Sequence, residues 1–168
     1  KKKKLLKKNT KILDVGCYDG SFLKMLPSSI KKHGIDIDKR VISKAKKKNK
    51  KIKFFCQNFE KFKSKTKFDT IVMMHVLEHL NNPLDVLKNL KKVSSDSTKL
   101  IIEVSILENH KTNQLDGFIT VQHMTHFTKN SLFNIMLRSG WKIIGEKKIQ
   151  RYNGFRIICK INNDLSKK

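Results

Sequence analysis

The chain has 168 residues, 38% of them hydrophobic, with few glycines and prolines. This length supports one domain with a proper core, and we expect residues 1–168 to form it. The longest apolar stretches, such as 71–74, are far too short to span a membrane. Three cysteines without CxxC spacing, Cys17, Cys56 and Cys159, indicate neither a disulfide framework nor a zinc knuckle.

The formal net charge is +24, because 38 basic residues face 14 acidic ones. Such a balance raises the question of a phosphate-rich partner. However, 34 of the 38 basic residues are lysines, which like the abundant asparagine and isoleucine have AT-rich codons. Nucleic-acid readers tend to use arginine, whose planar fork grips phosphate and guanine. A nucleic-acid partner is therefore not favoured by the composition.

Short apolar runs alternate with segments of helical periodicity along the chain. Seven strands are predicted, at 11–15, 32–37, 52–57, 68–74, 99–105, 141–149 and 155–161. Helices are predicted at 21–26, 39–48, 83–93 and 129–139. This alternation predicts an α/β fold with helices on both faces of a mostly parallel sheet. The last two strands are too close in sequence for a parallel crossover, so we expect an antiparallel C-terminal hairpin.

Several predicted helices carry recognisable end signals. Asp38 is placed as an N-cap, and Asn82 followed by Pro83 supplies a cap and a favourable first residue. Thr128 precedes the last helix, and Gly140 suits the left-handed position after its end. These signals place the helix boundaries independently of the apolar pattern. The basic N-terminal KKKKLLKKN is followed by no apolar core of a secretory signal, so we expect a cytoplasmic protein.

The first predicted strand runs into a glycine turn, DVGCYDG, at residues 14–20. Gly16 and Gly20 allow a ligand to approach the backbone closely. A dinucleotide-binding turn would read GxGxxG, whereas this one reads GxxxG. Asp19 would also repel a pyrophosphate at the start of the following helix. The turn therefore disfavours NAD and FAD.

Polar residues also follow the second and third predicted strands. Asp36 lies 20 residues after Gly16, a spacing at which an acid binds ribose hydroxyls. Asn58 and Phe59 follow the third strand, where an amide can read the adenine amino group beside an aromatic face. Because ligands of open α/β sheets bind at the carboxyl ends of the strands, these groups together predict an adenosine pocket.

These motifs resemble those of the class I S-adenosylmethionine-dependent methyltransferases. The similarity is greatest to the group containing ubiquinone-biosynthesis O-methyltransferases and related small-molecule and sugar methyltransferases. It runs through ILDVGCYDG, HGIDID, QNFEKF, FDTIVMMHVLEHLNNPLDVLKNLKKV and HMTHFTKNSLFNIMLRSGW. The resemblance implies a Rossmann-like methyltransferase fold with a seven-stranded sheet. It also implies S-adenosyl-L-methionine as cofactor, S-adenosyl-L-homocysteine as product, and methyl transfer to an oxygen or nitrogen.

The resemblance further implies which residues meet the cofactor. The glycine turn would cradle its methionine part, the acid after the second strand its ribose, and the residues after the third strand its adenine. The implied residues are Asp14, Gly16, Cys17, Tyr18, Gly20, Asp36, Ile37, Asn58, Phe59, Met74 and His75. One of them departs from the family pattern, because Tyr18 stands where the family has its middle glycine. The backbone there must adopt dihedral angles that a residue with a side chain tolerates.

Methyl transfer to a hydroxyl or a protonated amine needs a base that takes the proton. His75 is the first candidate, because it would sit at the end of the fourth strand facing the methyl group. His126 is the second candidate, although His123 and His126 form HxxH, which is more often a packing motif. Residues 106–127, the longest irregular stretch, are the predicted substrate lid.

Three alternatives stay open at this point. His75, Glu78 and His79 form HxxEH, at which related enzymes with an acid in the first position bind a divalent metal; we expect no metal here. The expected acceptor is a small molecule or a sugar, with an RNA methyltransferase as the second candidate. The third candidate function is that of a non-catalytic adenosine-binding or partner-binding module. The sequence indicates no particular oligomeric state.

Overall fold

A computed structural model describes residues 7–110, 119–149 and 153–163 of the chain. Its seven strands form one sheet in the order β3-β2-β1-β4-β5-β7-β6. The strands are β1 (Lys11–Val15), β2 (Lys31–Asp36), β3 (Lys53–Cys56), β4 (Phe68–Met74), β5 (Ser94–Ser105), β6 (Trp141–Ile149) and β7 (Gly154–Ile161). The pairs among β1 to β5 are parallel, whereas β7 is antiparallel to both β5 and β6. The predicted sheet and its C-terminal hairpin are confirmed.

Within the described ranges, four α-helices cover the two faces of this sheet. They are α1 (Ser21–Met25), α2 (Lys39–Lys48), α3 (Pro83–Lys91) and α4 (Lys129–Arg138). Single turns of 3-10 helix lie at Phe59–Lys61, Leu77–His79 and Leu107–Asn109. No helix in the described parts of the chain is long and apolar enough to cross a membrane.

Successive side chains of the central strands pack alternately in two separate apolar clusters. Ile12 of β1 packs in the cluster that includes Leu23 of α1 and Ile42 of α2. The next residue, Leu13, packs in the cluster that includes Leu87 of α3 and Leu132 of α4. A central parallel strand is buried on both faces, which is why it reads as a continuous apolar run.

The helix ends agree with the signals in the sequence. The Asp38 carboxylate accepts hydrogen bonds from two N–H groups of the first turn of α2, and Asn82 caps α3 with Pro83 in its first turn. Thr128 forms a capping box with Ser131 at the start of α4. Gly140 adopts a φ of 80° just after α4. These caps fix where each helix starts and therefore where the preceding loops lie.

One element differs clearly from its prediction. Strand β5 begins at Ser94, although the sequence predicts its start at 99. The serine-rich stretch before Lys99 has little strand propensity of its own. It is held instead by tertiary contacts, since the buried Thr98 hydroxyl donates to the Phe68 carbonyl at 2.6 Å across a register shift between β4 and β5. The other predicted boundaries coincide with the observed ones or differ by at most two residues.

Candidate active site

The strand order reverses between β1 and β4, which are neighbours in the sheet. After β1 the chain passes to the face covered by α1 and α2, and after β4 it passes to the face covered by α3 and α4. The two departing chains leave a crevice at the carboxyl ends of these strands. Open α/β sheets bind their ligands in such a crevice.

The glycine turn is the first wall of this crevice. Gly16 and Gly20 have φ values of 73° and 79°, which residues with side chains rarely adopt. A Cβ atom on Gly16 would overlap the Val76 side chain, and one on Gly20 would lie 2.6 Å from the Phe54 ring. Both glycines are therefore required by backbone conformation and by space. The predicted turn is formed, and it brings the end of β1 against the end of β4.

Tyr18 occupies the middle of the turn in the left-handed region, with a φ of 48°. Its backbone N–H donates to the Asp36 carboxylate at 2.9 Å, which holds the turn in this conformation. The ring is 66% exposed. Tyr18 thus adopts the left-handed backbone conformation of the family's glycine, at some conformational cost. Its exposed ring can cover a bound molecule.

Asp36 lies at the end of β2, next to the turn. One carboxylate oxygen accepts from the Tyr18 N–H, and the other accepts from the Asp38 N–H at 3.0 Å. These two bonds fix the orientation of the carboxylate. Each carboxylate oxygen has a second lone pair, so Asp36 can still accept hydrogen bonds from the two hydroxyls of a ribose.

Asp14 is an ionisable residue that is buried among the implied cofactor residues, with 5% of its surface exposed. Burial, with a smaller contribution from the nearby Asp36 carboxylate, raises the pKa of Asp14 to about 7. A carboxylate in this environment is stabilised by any cation that comes close to it. The amino group of a bound amino-acid moiety is a cation of that kind.

The implied adenine contacts lie on the outer side of Asp36. Ile37 follows β2 with 62% of its surface exposed, which is unusual for an isoleucine. The Asn58 side chain accepts from the Glu60 N–H at 2.8 Å and so caps the 3-10 turn at Phe59–Lys61. Phe59 is half-buried against the apolar cluster on the α3 face. These residues stand at neighbouring strand ends, with their roles toward adenine untested.

His75 stands at the end of β4, directly after the half-buried Met74. Its φ of 52° turns the chain out of the strand. Its Nδ1 lies 3.3 Å from Glu78 Oε1, and its Nε2 lies 3.2 Å from Glu103 Oε1. Both carboxylates are buried, with side-chain exposures of 2% and 6%. The imidazole is thus gripped between two acids at the edge of the crevice.

Hydrogen bonding to Glu78 raises the pKa of His75 above its ordinary value, and the charges of Glu78 and Glu103 act in the same direction against the effect of burial. The protonated ring can donate to both acids at once. To accept a proton from an acceptor molecule, the ring must first release one of these protons. Both nitrogens face buried carboxylates, so a role as base requires the His75 ring to turn away from one of them.

Sequence reasoning missed two members of this network, Glu103 and Arg156. Glu103 lies near the end of β5, and Arg156 lies opposite it on β7. The Arg156 guanidinium donates to Glu103 Oε2 from Nε at 2.8 Å and from Nη2 at 2.6 Å. The one available signal was an acid inside the otherwise apolar run LIIEVS.

The end of the predicted lid, residues 119–127, rests on the loop after β4. The Thr125 N–H donates to the Glu78 carbonyl at 3.0 Å, and His79 Nδ1 lies 2.8 Å from the Gln122 carbonyl. The buried Phe127 accepts a bond from the Leu107 N–H, which ties the two ends of the segment together. Residues 111–118 of the predicted lid lie outside the described residues.

Three further histidines, His79, His123 and His126, lie together at this junction. The His123 ring lies 4.9 Å from the His79 ring and 5.9 Å from the His126 ring, measured between centroids. One oxygen of Glu78 and one nitrogen each of His79 and His123 lie within 4.8 Å of one another. These atoms are of types that bind divalent metals, and the expectation of no metal is not tested by their positions. His126 itself is exposed at the surface of the lid.

The fold and the crevice define a class I methyltransferase architecture. A family model described as a methyltransferase domain matches residues 2–146, so the chain belongs to that family. A curated relative, the ubiquinone biosynthesis O-methyltransferase of Pelagibacter ubique, is 41% identical over 80 residues. That match covers 45% of this chain and only 33% of the relative's length.

Solved structures support the same fold. An S-adenosylmethionine-dependent methyltransferase from Aquifex aeolicus has a TM-score of 0.74 at 20% identity, covering 93% of this chain and 84% of its own. The N-methyltransferase NodS from Bradyrhizobium japonicum, solved with S-adenosyl-L-homocysteine, has a TM-score of 0.68 at 16% identity, covering 90% and 78%. The family match confirms the predicted methyltransferase family and enzyme class, and the solved structures confirm the predicted fold.

Proposed function

We propose that this enzyme transfers a methyl group to an oxygen or nitrogen of a small-molecule or sugar acceptor. The observation that carries the proposal is His75, which stands beside the crevice between the carboxylates of Glu78 and Glu103. A hydroxyl or protonated amine must lose a proton during methyl transfer, and this network offers a path for it. The O-methyltransferase relative from Pelagibacter ubique favours oxygen as the acceptor atom.

The cofactor supplies an electrophilic methyl group, and the task left to the chain is to bind and align the reactants. Gly16, Gly20 and the buried Asp14 would surround the methionine part of the cofactor, and Asp36 would bind its ribose. The geometry of the Asp36 carboxylate, oriented by two backbone N–H groups, supports this assignment. The residues proposed to meet the rest of the cofactor are Cys17, Tyr18, Ile37, Asn58, Phe59 and Met74.

Residues 106–127 would form the acceptor side of the pocket, with His126 as a second candidate for a catalytic role. The contacts of residues 119–127 with the loop after β4 support a lid at this place. The single-domain organisation and the cytoplasmic location are likewise retained as predictions from the sequence.

The test combines binding with turnover. Calorimetry measures binding of S-adenosyl-L-homocysteine, and transfer of a radiolabelled methyl group is measured with catechols, phenols, amines and sugars. We expect Asp36→Ala to weaken binding strongly, whereas His75→Ala spares binding and lowers turnover. Equal loss of binding and turnover in the His75 variant would remove this residue from the catalytic role.

The same measurements separate the alternative functions. A failure of the wild-type chain to bind either S-adenosylmethionine or its demethylated product would favour a non-catalytic module. Transfer of label to RNA, with none to the small molecules, would favour an RNA methyltransferase. Label in a phenol or a sugar supports the proposal.

A further inference from the structure

Helix α2 carries a column of basic side chains along one side. Arg40, Lys44 and Lys48 are each four residues apart, so successive members lie about 6 Å apart along the helix axis. All three are exposed, and they line a cavity of about 450 Å³ between α2 and the glycine turn. The column therefore faces a concave surface that a ligand can enter.

A second cavity, of about 430 Å³, continues from the end of this column. Lys48 lines both cavities, which makes them adjacent. Six lysines and no acid line the second one: Lys24, Lys32, Lys47, Lys48, Lys50 and Lys51. We call the two cavities together the α2 track.

Few negative charges balance this track. Residues 39–59 contain nine basic residues and no acid. Two acids, Asp19 and Asp38, line the first cavity and offset part of its positive charge, whereas no acid lines the second cavity. Arg40 Nε lies 3.7 Å from Asp38, but both groups are largely exposed, so this pair is weak. The like charges around the concavity reinforce one another's potential.

The shape and the residue types of the track indicate the class of ligand. Two connected concavities suit a chain-like polyanion better than the flat surface of a membrane. Lysine is a point charge that binds phosphate without reading bases. Nine of the 21 residues at 39–59 are basic, against 38 of 168 in the whole chain, so basic residues are concentrated in this stretch beyond the average composition.

We propose that the α2 track binds the phosphodiester backbone of single-stranded RNA without sequence preference. This surface goes beyond the proposed methyl transfer. The first cavity adjoins the glycine turn, and the second runs to Lys32 and Ile52, near the starts of β2 and β3, at the edge of the sheet opposite His75. RNA held there is anchored on the enzyme without occupying the place of the acceptor.

The experiment compares two variants that lose the same charge. Lys44→Gln, Lys48→Gln and Lys51→Gln are combined in the track variant. The control combines Lys63→Gln, Lys65→Gln and Lys88→Gln, which lie on or near α3 and the 3-10 turn that packs on it, on the other face of the sheet. Fluorescence anisotropy with a labelled oligouridylate gives affinity as a function of salt concentration.

We expect the track variant to bind at least tenfold more weakly at low salt. Its slope of log affinity against log salt should be smaller by about 2, because each lost phosphate contact on a single strand removes about 0.7. The loss of affinity and the change of slope in the control variant should be less than a third of those in the track variant. Equal losses in the two variants would show that only net charge matters and would overturn the proposal, as would a lack of salt-dependent binding by the wild type.

Two further measurements exclude other polyanions and keep the result independent of catalysis. The same variants are tested with vesicles containing phosphatidylglycerol and with inorganic polyphosphate. The proposal is contradicted if either of these binds through the three lysines while the oligouridylate does not. Calorimetry with S-adenosyl-L-homocysteine should give the same affinity in the track variant as in the wild type. RNA binding that persists in a chain unable to bind this product would leave the inference standing while the methyltransferase proposal fails.

Discussion

At the scale of single residues, Asp14 contributes a cost to folding at neutral pH. Its pKa is about 7 in the folded chain and near 3.8 when exposed, mainly because of burial. The folded state therefore binds a proton more tightly than the unfolded state, and stability should fall as the pH rises from about 4 to about 7. Above that range the cost is constant.

Replacing Asp14 with asparagine removes this titration. We expect Asp14→Asn to be more stable than the wild type at pH 8, by roughly 2 to 4 kcal/mol, and nearly equal to it at pH 4. Urea denaturation at the two pH values measures the difference. Asp96→Asn, at an exposed position, is the control and should show no such change. An unchanged pH dependence in the Asp14 variant would mean that this carboxyl is ionised throughout.

His75 should give the enzyme an acidic limb in its pH profile. As a base it acts in the neutral form, so turnover should fall as the pH drops through its raised pKa. Because hydrogen bonding to Glu78 is the largest cause of this shift, Glu78→Gln should move the limb to lower pH. The measurement is kcat against pH with saturating cofactor. If the acidic limb does not move in this variant, the limb belongs to the titration of another group.

At the scale of elements, the glycine turn joins β1 to β4 through close packing. Gly16→Ala should weaken product binding at least tenfold and destabilise the chain by about 1 to 3 kcal/mol, because it adds left-handed strain and an overlap with Val76. Adding Val76→Ala relieves only the overlap and leaves the backbone strain at position 16. Calorimetry and urea denaturation should therefore show partial recovery in the double variant. Full recovery would exclude backbone strain as a cause.

The elements and the glycine turn could be predicted because their signals are local. Apolar runs, caps and the GxxxG turn each lie within a few neighbouring residues. The surroundings of His75 could not be predicted in the same way, since Glu103 is 28 residues away and pairs in turn with Arg156, another 53 residues along the chain. Such partners are set by strand order and register. The start of β5 was missed for the same reason, because tertiary bonds hold it.

At the scale of the whole molecule, the net charge of +24 acts on stability. Among the described residues, lysine and arginine form ion pairs at Arg40–Asp38, Lys129–Glu146 and Arg156–Glu103. Because only 14 acidic residues face 38 basic ones, most basic side chains cannot each have an acidic partner of their own. Repulsion between like charges destabilises a compact state and is screened by salt.

Raising the NaCl concentration from about 0.05 M to about 0.5 M, which shortens the screening length well below 10 Å, should therefore raise the melting temperature. A gain of 1 to 2 kcal/mol corresponds to roughly 3 to 8 °C for a chain of this size. The Lys63, Lys65 and Lys88 triple variant should melt higher than the wild type at low salt and gain less from added salt. Scanning calorimetry measures both effects. A melting temperature that falls with added salt would mean that favourable ion pairs outweigh the repulsion. The folded chain would then place enough acidic side chains next to its lysines to offset their charge.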